Sequence, residues 1–279
     1  MSLVNSTSGT FEFLKSELAL LFSRRRTWAM LFTISLIPIV LAFAVSLSGS
    51  TVPPGEGPPF IDRVSQNGLF VGFTAMVLAI PFFLPLTMAV VSGDTIAGEA
   101  NTGTLRYLLI APLSRGKLLL VKFIGAAAFA LAATFTLMIT GIIIGVILFP
   151  VGPVTLLSGD VISIPDALIR IALVAIYVSV SLMGVAAIGL FIPTLTIVPV
   201  GAMAATVIIS TVSQILGSLP QIEVIHAYLP TYYWLGFADF LRSPLEFTSF
   251  FSNLMLQLGY ILIFGSFAYS KFTTKDVLS

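Results

Sequence analysis

Six long stretches of the chain are almost free of charged residues, and each is about as long as a helix that crosses a bilayer. A hydrocarbon core of about 30 Å needs roughly 20 apolar residues in a helix. The pattern therefore predicts an all-α, polytopic membrane protein with six transmembrane helices in a single domain over residues 1–279. The stretches run from Thr27 to Leu47, Gly68 to Val91, Leu118 to Phe149, Asp166 to Ile192, Val198 to Leu219 and Phe251 to Tyr269.

Prolines and glycines indicate where two of these helices could bend. Pro81 and Pro85 lie inside the second stretch. A proline lacks the backbone N–H that a helix needs and its ring displaces the preceding turn, so we expect a kink in this helix. Gly141 is a candidate for a bend in the third stretch.

The fourth stretch starts with a pattern of helix-capping residues. Ser163 suits the cap, Pro165 the first helical position and Asp166 the first turn. Pro193 marks the expected end of the helix. Buried charge is otherwise nearly absent, but Arg170 lies one turn inside this helix. Because Asp166 precedes it by four residues, we expect a local ion pair.

Basic residues are distributed unequally between the two ends of the predicted bundle. In short loops they mark the cytoplasmic side, because they resist translocation. Arg63, Arg170 and Arg242 fall on one side. Ten basic residues fall on the other side, which is therefore predicted to be cytoplasmic together with both termini: Lys15, Arg24, Arg25, Arg26, Arg106, Arg115, Lys117, Lys122, Lys271 and Lys275.

The composition agrees with a membrane protein and restricts its chemistry. Hydrophobic residues make up 57% of the chain and charged residues 9%, whereas soluble domains carry about 25% charged residues. The formal net charge of +1 gives no reason to expect nucleic-acid binding, so membrane lipids are the expected surroundings. The chain has no cysteine, which excludes disulfides and thiolate chemistry.

Residues 10–26, before the first span, have an amphipathic pattern. Phe13 and Leu20 interrupt it, and Arg24 to Arg26 would meet lipid head groups at its end. We predict an interfacial helix that chiefly anchors and orients the first span. Its apolar face would consist of Phe11, Leu14, Leu18, Leu21 and Phe22.

Residues 220–250, between the fifth and sixth spans, are unusually apolar for a loop and are predicted to dip into the membrane. Ser243, Pro244 and Glu246 have the pattern of a helix start, so the sixth helix is expected to begin there. His226 is the only histidine, and a structural role is expected because a metal site needs several ligands. The segment also carries an aromatic cluster typical of membrane interfaces: Tyr228, Tyr232, Tyr233 and Trp234.

Charged residues are concentrated between the second and third spans, in residues 92–117. Asp94 can cap a short helix and Ser114 can cap the next, with a break at Gly103 between them. The pattern predicts a compact helical elbow beneath the membrane, with a polar tip from Glu99 to Thr104. Such a shape suits docking to another protein, but a plain solvated loop explains the charges equally well.

Residues in and beside this elbow resemble a motif of the permease subunits of ABC type-2 exporters. The motif reads as an acidic residue, then Gly-Thr-Leu, then a proline, an arginine and a lysine. The resemblance implies a permease dimer, most simply a homodimer, seated on two separate ATPase subunits in the cell membrane. It also implies that Glu99 to Thr104 form a coupling helix that enters an ATPase cleft. The matching residues, in order, are Glu99, Gly103, Thr104, Leu105, Pro112, Arg115 and Lys122.

The chain shows no ATPase site of its own. Its only G-x-x-x-x-G spacing, from Gly98 to Gly103, is followed by Thr104 and lacks the lysine that binds phosphate. We therefore expect a protein that is not an enzyme and has no cofactor, with ATP bound by the partner subunits.

The fifth span carries a polar stripe at helical spacing. The stripe could line a translocation pathway, as the resemblance to the family's dimer-facing fifth helix suggests, or it could stabilise helix packing. Both roles stay open on the sequence alone. The stripe consists of Thr206, Ser210, Ser213 and Gln214.

Other classes of membrane protein fit less well. Ion-coupled carriers usually place carboxylates or histidines at mid-membrane depth, and intramembrane enzymes need catalytic groups inside spans; the predicted spans show neither. A non-transporting scaffold stays open. The nearly charge-free spans favour an amphipathic or apolar substrate, with a polysaccharide or lipid precursor as an alternative. A related branch of the family acts in copper-site maturation, which the lack of cysteine and of a methionine-rich cluster makes a low-ranked reading.

Overall fold

The computed structural model describes residues 4–48, 60–101, 115–196 and 198–274, with side chains described for residues 12–48, 60–94, 116–196 and 198–271. Within these ranges the chain forms eleven α-helices and one short β-hairpin. In chain order the helices are α1 (Val4–Ser23), α2 (Arg25–Leu47), α3 (Ile61–Val64), α4 (Phe70–Ala79), α5 (Phe83–Asn101), α6 (Arg115–Leu148), α7 (Ile164–Ser181), α8 (Met183–Leu195), α9 (Pro199–Gly217), α10 (Glu223–His226) and α11 (Thr248–Thr274), and the hairpin pairs β1 (Val154–Thr155) with β2 (Val161–Ile162).

These helices provide five candidate spans, or the six that the sequence predicts if one bent pair of helices counts as a span. Five units are long and apolar enough to cross a membrane by themselves: α2, α6, the pair α7 and α8, α9, and α11. The pair α4 and α5 makes a sixth unit, bent by 60°. The prediction of an all-α polytopic membrane protein is confirmed. α2 and α4 pack on α6, α5 packs between α8 and α9, and α11 lies along α8.

The helix predicted before the first span is present as α1, and a tight turn at Arg24 joins it to α2. Thr27 Oγ1 donates a hydrogen bond to the carbonyl of Leu21 at 2.6 Å. Trp28 Nε1 donates to the carbonyl of Phe22 at 2.8 Å. Both carbonyls lie in the last turn of α1, where a helix leaves its acceptors without partners. Side chains of α2 thus fix the end of α1, while its position at the membrane interface stays a prediction.

The second span is broken where its prolines predicted a kink. Pro85 has no N–H, so it cannot donate to the carbonyl of Pro81 one turn earlier. Gln214 of α9 donates to this carbonyl instead, through Nε2 at 2.7 Å. A side chain from the fifth span therefore completes the backbone hydrogen bonding of the kink.

Paired glycines let α4 and α6 pack at very close range. Gly68 and Gly72 precede and begin α4, and they face Gly145 and Gly141 of α6. A Cβ added to Gly141 would lie 2.5 Å from the Cα of Gly72. Small residues four positions apart on both helices allow such backbone contact. Gly141, expected as a site of bending, is a packing position within the unbroken helix α6.

The fourth span starts as predicted but is broken in the middle. The backbone N–H of Asp166 donates to Ser163 Oγ at 3.3 Å, which confirms the cap. The helix is interrupted at Leu182, which separates α7 from α8. Pro193 does not end the helix but lies inside α8, which continues to Leu195.

The segment between the fifth and sixth spans, residues 220–247, folds back into the bundle, and we call it the inserted segment. Trp234, Phe237 and Phe240 are almost completely buried, which agrees with an inward dip, although its depth in a membrane stays a prediction. The expected helix start at Ser243 is wrong, because the described α11 begins only at Thr248. We call the side of the bundle where α6 begins and α11 ends the basic end. The other side, where α6 ends and α11 begins, is the opposite end.

Candidate coupling region and polar contacts between spans

The predicted coupling segment is the part of the motif from Glu99 to Arg115. The structure describes its two flanks. Glu99 lies in the last turn of α5 and Arg115 is the first residue of α6, but only their backbones are described. α5 continues through Asp94, so the expected helix cap at Asp94 is wrong. Lys122 lies two turns inside α6. Four residues of the motif lie outside the described residues: Gly103, Thr104, Leu105 and Pro112.

Lys122 is a buried charge that binds the N-terminal helix. Its side chain is 2% exposed, and its Nζ lies 2.8 Å from Oε1 of Glu17 in α1, which is 11% exposed. A buried charge without a partner would be strongly destabilising, so Glu17 explains how Lys122 is tolerated here. Phe13 of α1 packs beside it on the cluster around Leu118 of α6. Phe13 was expected off the apolar face, and Glu17 was not singled out by the sequence.

The other flank of the segment also binds the start of the chain. Asp94 Oδ2 lies 2.7 Å from Nη2 of Arg26 and 3.4 Å from Nη1 of Arg24. Arg24 and Arg26 therefore have a partner within the protein, while the contact of Arg24 to Arg26 with lipid head groups stays a prediction. Because all three side chains are partly exposed, solvent screens these pairs and each contributes little to stability.

The N-terminal region therefore connects the two ends of the coupling segment. Asp94 precedes the segment in α5, and Lys122 follows it in α6. Glu17 binds Lys122, and Arg26 binds Asp94. The two contacts belong to different helices, because Glu17 lies in α1 and Arg26 lies in the first turn of α2.

Three residues of the polar stripe on the fifth span face the interior of the subunit. Thr206, Ser210 and Ser213 are 0%, 2% and 4% exposed. Ser213 Oγ shares a hydrogen bond of 2.7 Å with Thr231 Oγ1 in the inserted segment. Together with the contact from Gln214 to the kink, these positions support the packing role. A role in a pathway or at a dimer face stays a prediction.

A cavity of about 350 Å³ lies beside the kink of the second span. Gln214, Thr231 and Tyr232 contribute polar groups to its wall, and Val77 and Leu235 contribute apolar ones. The cavity is partly open and is bordered by the kink, the end of α9 and the inserted segment. Gln214 is the residue of the polar stripe that lines this cavity.

Arg170 holds the inserted segment. Its Nη1 donates to the carbonyls of Phe240 at 2.5 Å and Arg242 at 2.7 Å. The expected ion pair with Asp166 is wrong: among the described contacts, the carboxylate of Asp166 accepts from the hydroxyl of Ser163 at 2.6 Å instead. A charged hydrogen bond to two carbonyls satisfies a buried guanidinium without an acid.

Two amide side chains of α11, not singled out by the sequence, complete the contacts of the inserted segment. Gln257 Nε2 donates to the carbonyl of Pro230 at 3.0 Å, and its Oε1 accepts from the N–H of Gly184 at 3.0 Å. Asn253 Nδ2 donates to Ser181 Oγ at 2.8 Å. Beside the break between α7 and α8, Gln257 therefore satisfies the backbone N–H of Gly184 and Asn253 binds the hydroxyl of Ser181. Their spacing of four residues in an otherwise apolar span was the available signal.

His226 makes a structural contact at the opposite end. Its Nε2 lies 3.1 Å from the carbonyl oxygen of Leu219, and its ring lies near that of Tyr232. In the described part of the chain, no three His, Asp or Glu side chains are grouped so that they could hold a metal ion.

Comparison with known proteins agrees with a bundle of membrane-spanning helices. Residues 11–213 match a family model described as ABC-2 family transporter protein. The "Probable ABC transporter permease protein NosY" of Pseudomonas aeruginosa is 39% identical over 71 residues, which are 23% of this chain and 26% of the relative. The protein of the same name from Stutzerimonas stutzeri is 31% identical over 101 residues, 36% of this chain and 33% of the relative. In both cases the match spans a third or less of the relative. Because the family model covers most of the chain, this protein belongs to the ABC-2 transporter family and is a membrane permease subunit of an ABC transporter.

Proposed function

We propose that this permease exports an amphipathic or apolar molecule as a dimer, with energy from separate ATPase subunits that bind the segment between α5 and α6. Family membership supports the ATPase partnership. The observation that carries the coupling role is the attachment of both flanks of this segment to the N-terminal region, through Glu17 with Lys122 and Arg26 with Asp94.

Two helices, α5 and α6, connect the coupling segment to the rest of the bundle. α6 has 34 residues and at about 1.5 Å per residue extends from the basic end to the opposite end. α5 leads from the segment straight to the kink at residues 80–82. A push from an ATPase on the segment would therefore reach the kink and its cavity.

The lining of the cavity and the nearly charge-free spans support an amphipathic or apolar substrate. Gln214, Thr231 and Tyr232 line the cavity together with apolar residues. Such a wall suits a molecule with hydrogen-bonding groups on an apolar body. Arg170 is satisfied by carbonyls, so it offers little to a strongly ionic solute.

The outward surface of α9 supports a second copy as partner. Val200, Ile208, Val212 and Ile215 are exposed along one side of this helix, opposite the buried Thr206. In the proposal this apolar side contacts the second copy within the membrane, and the polar stripe stabilises each subunit from inside.

Co-purification with an ATPase encoded beside this permease tests the coupling role. Wild type should assemble with the ATPase, whereas Glu99→Arg and Gly103→Trp should lose assembly or stimulated ATP hydrolysis. Glu246→Arg is a matched charge reversal at an exposed position of the opposite end and should retain both. If the variants in the coupling segment behave like wild type, the proposal fails and an ion-coupled carrier or a scaffold becomes the better explanation.

The absence of cysteine allows a direct test of orientation. Asp160→Cys lies in the hairpin at the opposite end, and Ser279→Cys lies at the end of the sequence. With both termini in the cytoplasm, a membrane-impermeant maleimide added to intact cells should label the first variant and not the second. The reverse result would invert the proposed topology.

A further inference from the structure

An apolar groove opens between α6, α8 and α11 at the basic end of the bundle. It encloses about 210 Å³ and is separate from the cavity beside the kink. Its walls include Leu119 and Phe123 of α6, Leu190 of α8 and Ile261 of α11. A groove with such walls accepts a hydrocarbon chain and disfavours polar groups.

Glycines leave the space that forms this groove. A Cβ added to Gly265 would have no other atom within 4 Å, so this position of α11 faces open space. Gly116 of α6 lies against the ring of Tyr269, 3.0 Å from a Cβ added to the glycine. Tyr269 and Gly116 therefore close the end of the groove where α6 begins.

Positive charges lie next to this closed end. Lys117 follows Gly116 directly, and Lys271 lies in the last turn of α11, two residues after Tyr269. Lysines at the ends of spans extend toward the level of the head groups. Basic pockets between spans bind anionic head groups. Next to the groove, Leu262 and Phe267 of α11 are exposed, as expected for a surface in contact with lipid.

We propose that this groove binds one acyl chain of an anionic phospholipid, whose phosphate lies beside Lys117 and Lys271. The apolar walls take the chain, and the two lysines select the charge of the head group. The bound lipid would contact the first turns of α6 and so steady the helix that follows the coupling segment; this last consequence rests on the coupling role proposed above.

Native mass spectrometry of the full-length permease with its ATPase tests the proposal, with phosphatidylglycerol and phosphatidylcholine as the added lipids. Gly265→Phe fills the groove and should remove one bound phosphatidylglycerol per permease chain. Gly259→Phe is the matched control, because this glycine of α11 also faces open space but does not line the groove. Gly265→Leu provides a smaller filling group, so that misfolding of the phenylalanine variant does not decide the result.

The lysines are tested by the choice between the two lipids. Lys117→Gln and Lys271→Gln should each lower the preference for phosphatidylglycerol over phosphatidylcholine about fivefold, since a basic residue near an anionic surface contributes on this scale. Equal binding of both lipids to wild type, or an unchanged preference in these variants, would overturn the proposal.

Two other occupants of the groove predict different results, and either result would overturn the proposal. If residues 102–114 of the same chain filled it, Gly265→Leu would weaken ATPase assembly without changing the number of bound lipids. If a second permease copy filled it, the variant would dissociate the dimer at an unchanged lipid count. A wild-type permease that binds no ATPase would contradict the coupling role alone, because the lipid count is measured independently.

Discussion

Glu17 of α1 and Lys122 of α6 are 105 positions apart in the chain and form a nearly buried ion pair with an Nζ to Oε1 distance of 2.8 Å. Removal of one partner of a buried pair costs about 3–5 kcal/mol, because the other charge is left without compensation. The pair thus holds the N-terminal helix firmly against the helix that follows the coupling segment.

Replacement of either partner should lower the free energy of unfolding markedly. We expect a loss of about 3 kcal/mol for Glu17→Gln or Lys122→Met, and recovery of much of it in the exchanged variant Glu17→Lys with Lys122→Glu. Unfolding of the purified permease in mixed micelles measures this. Arg26→Gln removes a partly exposed pair and should lose less than about 1 kcal/mol. An exchanged variant no more stable than the single variants would contradict the pairing.

Gly141→Leu should prevent the close approach of α4 and α6. The added Cβ would meet the Cα of Gly72 at 2.5 Å, and a backbone atom cannot move aside as a flexible side chain can. We expect a loss of about 1–3 kcal/mol, seen as a lower thermal midpoint or loss of the monodisperse peak in size-exclusion chromatography. Gly259→Leu enters open space and should behave like wild type. Equal damage from both substitutions would contradict this interpretation.

Gln214→Leu should destabilise the protein only while Pro85 is present. Without the amide, the carbonyl of Pro81 has lost its partner, which costs about 1–3 kcal/mol. Pro85→Ala restores an N–H one turn after Pro81, so Gln214→Leu should cost much less in that background. Unfolding free energies of the four proteins form a double-mutant cycle. Additive effects would show that Gln214 does not act through this carbonyl.

Arg170→Met should loosen the inserted segment by releasing the carbonyls of Phe240 and Arg242. Hydrogen exchange of residues 236–247 should become faster by about tenfold, as expected for a loss near 1.4 kcal/mol. Arg242→Gln is the control, because it keeps the backbone carbonyl and removes only an exposed side chain that lies 3.9 Å from Asp239. Similar exchange in both variants would argue against Arg170 as the anchor.

The sequence predicted features that depend on neighbouring residues. The length of each apolar stretch gave the spans, the prolines at 81 and 85 gave the kink, and Ser163 with Asp166 gave a helix start. Apolar length, a missing N–H and a cap all act within a few residues of the chain. Errors arose even at this range: Ser243 does not start the last helix, and the break of the fourth span at Leu182, two residues before Gly184, was not predicted.

Partners of charged and polar side chains were set by packing between distant segments. Arg170 binds carbonyls some 70 positions away, and Arg26 pairs with Asp94 on another span. A charge inside a bundle takes the nearest group that offsets its desolvation, and folding decides which group is nearest. The sequence by itself determined an all-α polytopic membrane protein, and the location of its coupling motif stays a prediction. Only the tertiary structure decided that α1 and the start of α2 contact the two flanks of that motif, because this requires contacts between residues that the chain keeps far apart.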